Sequence, residues 1–299
     1  MEGLRKEYPG VLAVEGVTFQ VHQGEIFGMV GPNGAGKTTT MECIIGLRRP
    51  TAGTIRLLGY DPQRESLALR TRTGVQLQDS ALPDRLRVRE ICDLFASFYP
   101  TPLNWHDLLA EMELDAKEKA FYSSLSGGQK QRLLIALALL PDPEVVFFDE
   151  LTTGLDPQAR RAMWDWLRKI RQRGKTVFLT THFMEEAERL CDRVAILDGG
   201  RLIALDTPER LVEGLGAESC LSFEVDPSSL DPSQLDGLPG ASRLEREGEQ
   251  VRVFGQGETW VGEVVNALVT RRIRFRNLRT EQPTLEDVFL ALTGRAMRE

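Results

Sequence analysis

The sequence predicts an α/β protein: a large domain on a mixed, mainly parallel sheet, followed by a small α+β domain. Three apolar runs, Ile26–Val30, Val145–Phe148 and Val177–Leu179, read as buried strands that end in glycine or polar residues. Near Gly214–Glu218 the pattern changes to short alternating strands and helices, interrupted by Asp226–Gly240, rich in Asp, Ser, Pro and Gly.

The first run leads into GPNGAGKT at Gly31–Thr38, a phosphate-binding loop. The chain must turn sharply from strand to helix while exposing backbone N–H groups. Gly31, Gly34 and Gly36 allow that path because they carry no Cβ. Lys37 would then reach the β- and γ-phosphates of a nucleotide, and the Thr38 hydroxyl would meet Mg²⁺. A helix from about Lys37 to Leu47 would present its positive N-terminus to the phosphates.

Farther along, LSGGQ stands at Leu125–Gln129. Ser126 and Gln129 form a capping-box pattern, opening a helix through LLIALALL to Pro141. That alone is ordinary helix chemistry, but Gly127 and Gly128 would also let a phosphate approach the backbone. The second buried strand delivers two adjacent carboxylates, which point to opposite faces. Asp149 would hold Mg²⁺ through water, and Glu150 would polarise the attacking water. In LTTGLDP, Asp156 and Pro157 look like an N-cap and first helical residue. The helix they open has an apolar face of Met163, Trp166, Leu167 and Ile170 and ends at Gly174; Trp164 lies off that face without assigned function. The third strand ends in Thr180, Thr181 and His182, at the carboxyl edge where ligands bind in open α/β sheets.

In this order the motifs resemble one complete ABC-type ATPase domain, from about Leu4 to about Gly214. The resemblance implies ATP as substrate, with Pro32, Asn33, Ala35 and Thr39 completing the phosphate loop. It makes Tyr8 an adenine platform, although a tyrosine covering a sheet edge reads similarly. His182 would contact the γ-phosphate. A glutamine should follow Gly74–Leu77 as a catalytic and Mg²⁺ contact; Gln78 fits best by distance, with Gln76 the alternative two residues away. Leu125–Gln129 would serve the ATP of an opposite subunit, and Asp156 would make a dimer contact. Two departures stand out: the chain opens at MEGLRKEY, so the usual first strand is expected to be mostly absent, and Leu151 occupies a position where proline is common.

The resulting expectation is an ATP-binding domain over 1–216, with a helical subdomain at about 79–140, and an accessory domain over 217–299. In the latter, Leu221–Val225, Arg243–Glu245, Val251–Phe254 and Ile273–Leu278 suggest strands and Thr259–Thr270 a helix. PTLEDVFLALTGR resembles the C-terminal extension of the drug-exporter (daunorubicin-resistance-like) branch. Arg272, Arg274 and Arg276 alternate with apolar residues; a solvated face is the plainer reading, a partner or lipid surface the other.

The expected function is ATP hydrolysis powering export by a separate multi-span permease, with two copies sandwiching ATP. The permease contact would include Leu86–Tyr99, whose Phe95, Phe98 and Tyr99 read equally as core. An importer ATPase is the alternative. A non-transport ATPase on nucleic acid or ribosomes is disfavoured by a single motif set and a net charge of −7. Cys43, Cys92, Cys191 and Cys220 lack CxxC spacing, His22 and His106 lack a site-like setting, and no apolar stretch approaches a membrane span. A cytoplasmic location, peripheral on the membrane's inner face through the permease, follows as the expectation.

Overall fold

The computed structural model describes residues 1–78, 82–216, 218–225, 237–255, 257 and 259–294. The chain divides into two compact units, Met1–Pro208 with the residues from Leu292 on, and Glu209–Ala291. The sequence expectation places a boundary at 216–217; residues 226–236 of its linker-like stretch lie outside the described residues.

The first unit begins with an antiparallel pair, β1 (Glu2–Tyr8) and β2 (Val11–Val17). A seven-residue strand therefore stands at the head of the chain, where the sequence leads one to expect most of a first strand to be missing. Its residues are largely polar, so no apolar alternation marks it; pairing of Leu4 with Val17 and of Tyr8 with Val11 holds it in place. After β3 (Ile26–Val30) and α1 (Lys37–Ile44), β4 (Ala52–Thr54) joins the other edge of β1. Helix α1 ends short of the expected Leu47, and Gly46 follows its last turn at φ 81°.

A six-stranded sheet forms the centre. After α2 (Ser66–Arg70), it takes in β5 (Thr73–Gln76), and the helical segment α3 (Val88–Ala96), α4 (Trp105–Glu111) and α5 (Gly127–Leu139) follows. Then come β6 (Val145–Asp149), α6 (Pro157–Gln172), β7 (Thr176–Thr181), α7 (Met184–Leu190), β8 (Arg193–Asp198) and β9 (Arg201–Asp206). The strand order is β5-β6-β7-β3-β8-β9, parallel throughout except for the β8–β9 hairpin turned at Gly199–Gly200. Every residue of β3, β6 and β7 is buried, as continuous apolar runs require in a sheet covered on both faces. Rings of Phe19 and Phe178 stack on Phe27 at 5.0 and 5.6 Å between centroids, a packed base beneath the strand that feeds the phosphate loop.

In α6 the expected apolar face is buried, and Trp164, read as off that face, is buried too at 5% exposure. A periodicity count does not see the indole N–H, which has a carboxylate partner described below.

The second unit starts at α8 (Pro208–Gly214), whose proline belongs to the first. It contains β10 (Ser219–Val225), β11 (Ala241–Glu247), β12 (Gln250–Gly255), α9 (Trp260–Thr270), β13 (Phe275–Glu281) and α10 (Leu285–Thr293). The strands form an antiparallel sheet in the order β11-β12-β10-β13, with Leu221, Phe223, Val251 and Val253 packed on Trp260, Val264 and Leu268 of α9. The last strand starts later than the sequence suggests: Arg272 sits at φ 59° in a turn and Ile273 is drawn into the core. Arg276 pairs with Glu224 of β10 at 2.8 Å and with Glu249, in the turn between β11 and β12, at 2.7 Å. Among the described residues, no helix is long and apolar enough to cross a membrane.

Candidate active site

The phosphate loop leaves β3 under steric control. A Cβ at Gly31 would lie 2.2 Å from the Leu197 carbonyl oxygen. Gly36, at φ 97°, caps α1, and a Cβ there would lie 2.4 Å from the Ala13 carbonyl oxygen. Both neighbours are backbone, which cannot move aside, so glycine is required. Pro32 is half-buried, Asn33 and Gly34 are exposed, and Ala35 is buried, its N–H donating to Pro32 O at 3.1 Å.

Lys37 is buried at 4% exposure, with Nζ donating to Gly31 O at 2.8 Å and Pro32 O at 3.2 Å and lying 3.3 Å from Glu150 Oε1. Burial pushes its ammonium below its ordinary value, opposed by Glu150 and then Asp149. Next to it, Thr38 Oγ1 donates to Asp149 Oδ1 at 3.2 Å, and the Thr180 hydroxyl donates to the same oxygen. Asp149 Oδ2 is buried without a hydrogen-bond partner. Burial pushes this carboxyl up, against the hydroxyls of Thr180 and Thr38. An acceptor-only oxygen without a donor, on a carboxyl whose charge is disfavoured, is the environment a hard divalent cation would relieve. The residues fit Mg²⁺.

Glu150 is the point where the elements converge. Its backbone sits at φ 48°, a left-handed conformation costing about 1–3 kcal/mol for a non-glycine residue. The N–H donates to Thr180 O at 3.1 Å, which helps hold the turn. Around Oε2 lie Gln78 Nε2 at 3.2 Å, the Thr153 hydroxyl at 3.4 Å and His182 Nδ1 at 3.3 Å, the last without hydrogen-bond geometry. Of the two glutamines weighed in the sequence, Gln78 makes this contact. Gln76 ends β5, buried, and donates instead to the neighbouring Leu77 carbonyl at 2.8 Å. Leu151 is buried at 2% exposure, and its carbonyl accepts from Gln131 Nε2 of α5 at 2.7 Å.

Other sequence-marked residues lie apart from this cluster. Tyr8 is half-buried at the end of β1, its ring centroid 4.9 Å from Lys6 Nζ and 5.6 Å from the Arg48 guanidinium. Thr39 is half-buried in the first turn of α1. Ser126 caps α5: Gln129 N–H donates to its Oγ at 3.3 Å, and its own N–H donates to Gln129 Oε1 at 3.0 Å. Leu125 is buried beneath. A Cβ on Gly127 would meet nothing within 4 Å, and one on Gly128 only Ala159 Cβ at 4.0 Å. The chain's own packing therefore does not demand these glycines. They line a recess with Asp156, which caps α6 by accepting from Gln158 and Ala159 N–H groups at 3.0 and 2.9 Å.

Sequence reasoning missed the roles of Thr180 and Thr153. Thr180 was visible only as the start of a polar strand end; its hydroxyl serves Asp149 and its carbonyl anchors the Glu150 turn.

The family model for ABC transporter matches residues 14–153. The chain is 41% identical over 302 residues to a Nod factor export ATP-binding protein I from Burkholderia pseudomallei, covering 98% of this chain and 96% of that one. It is 40% identical over 301 residues to its namesake from Rhizobium etli, covering 98% and 92%. Among solved structures, an ATP binding subunit of an ABC transporter is 32% identical with a TM-score of 0.65, covering 72% of this chain and 92% of that one. A dimeric ATP-binding cassette in a post-hydrolysis state, bound to ADP and Pi, is 26% identical with a TM-score of 0.63, covering 69% and 97%. With its site geometry and these likenesses, the chain belongs to the ABC transporter family as an ATP-binding subunit, an ATP-hydrolysing enzyme.

Proposed function

We propose that this subunit powers export of amphipathic small molecules through a separate multi-span permease, on the drug-exporter branch of the family. The observation that carries the chemistry is the convergence of Lys37, Gln78, Thr153 and His182 on the Glu150 carboxylate. Glu150 takes a proton from water as its oxygen attacks the γ-phosphorus and the bond to the β-phosphate bridging oxygen breaks. Lys37 leaves its loop carbonyls for the β- and γ-phosphates, His182 contacts the γ-phosphate, and Tyr8 stacks on adenine. Thr38, Asp149 and Gln78 would hold Mg²⁺, which supplies charge neutralisation on the phosphates.

Two copies form the working unit. Ser126, Gly127 and Gly128 serve the ATP held by the other copy, which gives the glycines a reason that packing within one chain does not. Asp156, in the same recess, lies at the contact between copies. Closure can do work only if ATP binds the closed form more tightly than the open one.

An apolar groove supports the permease contact. It is lined by Leu47, Leu67, Val75, Phe98 and Tyr99, with Leu67, Phe98 and Leu47 exposed at 77%, 64% and 60%. It reaches Gln76 and Leu77, directly before Gln78. An amphipathic permease helix seated there would report to the catalytic carboxylate through one residue, from the inner face of the cell membrane. Relatives named for Nod factor export support the outward direction.

Glu150→Gln tests the chemistry. Turnover should fall about 10²–10⁴-fold while ATP still binds, and hydrolysis within about threefold of the parent would overturn the role. Direction is tested with the permease in inverted vesicles: ATP-dependent accumulation inside marks export, and ATP-dependent release from preloaded vesicles marks import.

A further inference from the structure

One buried carboxylate beside the site takes no part in these steps. Glu186, on α7, is 2% exposed, and its Oε1 accepts from Trp164 Nε1 at 3.0 Å. The Thr181 hydroxyl also faces it, the Thr152 hydroxyl approaches without full hydrogen-bond geometry, and the Arg160 guanidinium supplies positive charge nearby. Each partner belongs to a part of the catalytic apparatus. Thr152 lies in the turn after Glu150, Thr181 directly precedes His182, and Arg160 and Trp164 stand on α6, whose head is Asp156.

Further contacts tie the same parts together. The Arg160 guanidinium lies 4.0 Å from the Phe183 ring centroid, and that ring lies 4.1 Å from the His182 imidazole. Phe183 N–H donates to Thr181 Oγ1 at 3.0 Å. A carboxylate suits the centre of such a set because its oxygens accept, so the indole N–H is served while the hydroxyls of Thr181 and Thr152 lie toward the same group. A neutral apolar side chain would leave the Trp164 N–H buried and unpaired.

We propose that Glu186 is a positioning residue for ATP hydrolysis: it fastens the turn after Glu150, the strand end bearing His182 and the helix headed by Asp156 into one unit. It touches no reacting atom. Its effect is to keep the His182 ring and the Glu150 carboxylate at their 3.3 Å approach. The inference rests on the roles given above to Glu150 and His182.

The test uses the full chain with Glu186→Gln, Trp164→Phe, both together, and Glu150→Gln as control. Glu186→Gln should lower turnover at saturating ATP by about 10-fold or more, since small misplacements of reacting groups are costly. Its KM for ATP should stay within about twofold of the parent, the mark of an interaction made in the transition state. Its thermal midpoint at neutral pH should not fall. Trp164→Phe keeps the ring and removes one donor, so it should lose less turnover in the same direction, and the double variant should be no worse than Glu186→Gln alone. If Glu186→Gln fails to fold, Trp164→Phe decides: parental turnover overturns the proposal. Turnover of Glu186→Gln within about twofold of the parent also overturns it. So does a loss that comes with a weaker KM and a lower midpoint, which a purely structural role would give. Glu150→Gln separates the levels: if it stays active the underlying reading fails, whereas an inactive Glu150→Gln beside an active Glu186→Gln removes this inference alone.

Discussion

Glu150 and Asp149 are adjacent in sequence, yet the backbone gives them different surroundings. The left-handed turn at Glu150 swings its carboxylate toward Lys37, Gln78 and His182, while Asp149 stays on the strand beneath the hydroxyls of Thr38 and Thr180. The orphaned Asp149 Oδ2 leads to a prediction about the metal. Chelation should stop turnover and added Mg²⁺ should restore it; Asp149→Asn should raise the Mg²⁺ concentration needed about 10–100-fold, the scale for losing an outer-shell partner of a metal. An unchanged Mg²⁺ titration in that variant would remove Asp149 from the cation site. Glu186 supports a pH prediction. Burial pushes its carboxyl above 4.5, so the folded protein holds that proton more tightly than the unfolded chain. The parent therefore loses stability as pH rises from 4.5 through the raised folded value, a loss that uncharged Glu186→Gln escapes. Urea midpoints should show the variant gaining on the parent across that window. A gain in the opposite direction would mean the charge is better solvated folded than unfolded.

At the scale of elements, caps offer the clearest test. Asp156 accepts two backbone N–H groups at the head of α6, so Asp156→Ala should cost about 1 kcal/mol of stability in urea unfolding. ATP binding to an isolated chain should survive, because the contacts of Lys37 and Thr38 lie elsewhere; loss of that binding would place the α6 head in the same-chain site. The caps were readable in advance: Ser126 with Gln129 and Asp156 with Pro157 follow local backbone rules that tertiary context did not override. The buried strands β3, β6 and β7 were readable for a similar reason, since a sheet covered on both faces demands unbroken apolar runs. What escaped depends on partners distant in sequence. β1 is polar and is fixed by pairing with β2 and β4, and Trp164 is buried because Glu186 on another helix takes its N–H. Spacing narrowed the choice between Gln76 and Gln78, but only the path of the chain leaving β5 shows which one meets Glu150.

At the scale of the whole molecule, the second unit has a core of its own, with α9 packed on a four-stranded sheet. A chain ending at Gly216 should therefore fold and bind ATP with parental affinity, while permease association or dimerisation weakens. A shortened chain that cannot bind ATP would show that the tail belongs to the ATPase core. In the proposed working unit, the catalytic cluster around Glu150 and the glycines after Ser126 complete each other only across two copies. Light scattering on Glu150→Gln tests it directly, because blocked hydrolysis should hold the closed form. With ATP and Mg²⁺ the mass should double from 33.5 kDa, and adding Ser126→Arg to the same chain should return it to that value. A Glu150→Gln chain that binds ATP yet stays at 33.5 kDa, or a doubled mass indifferent to Ser126→Arg, would contradict the shared site.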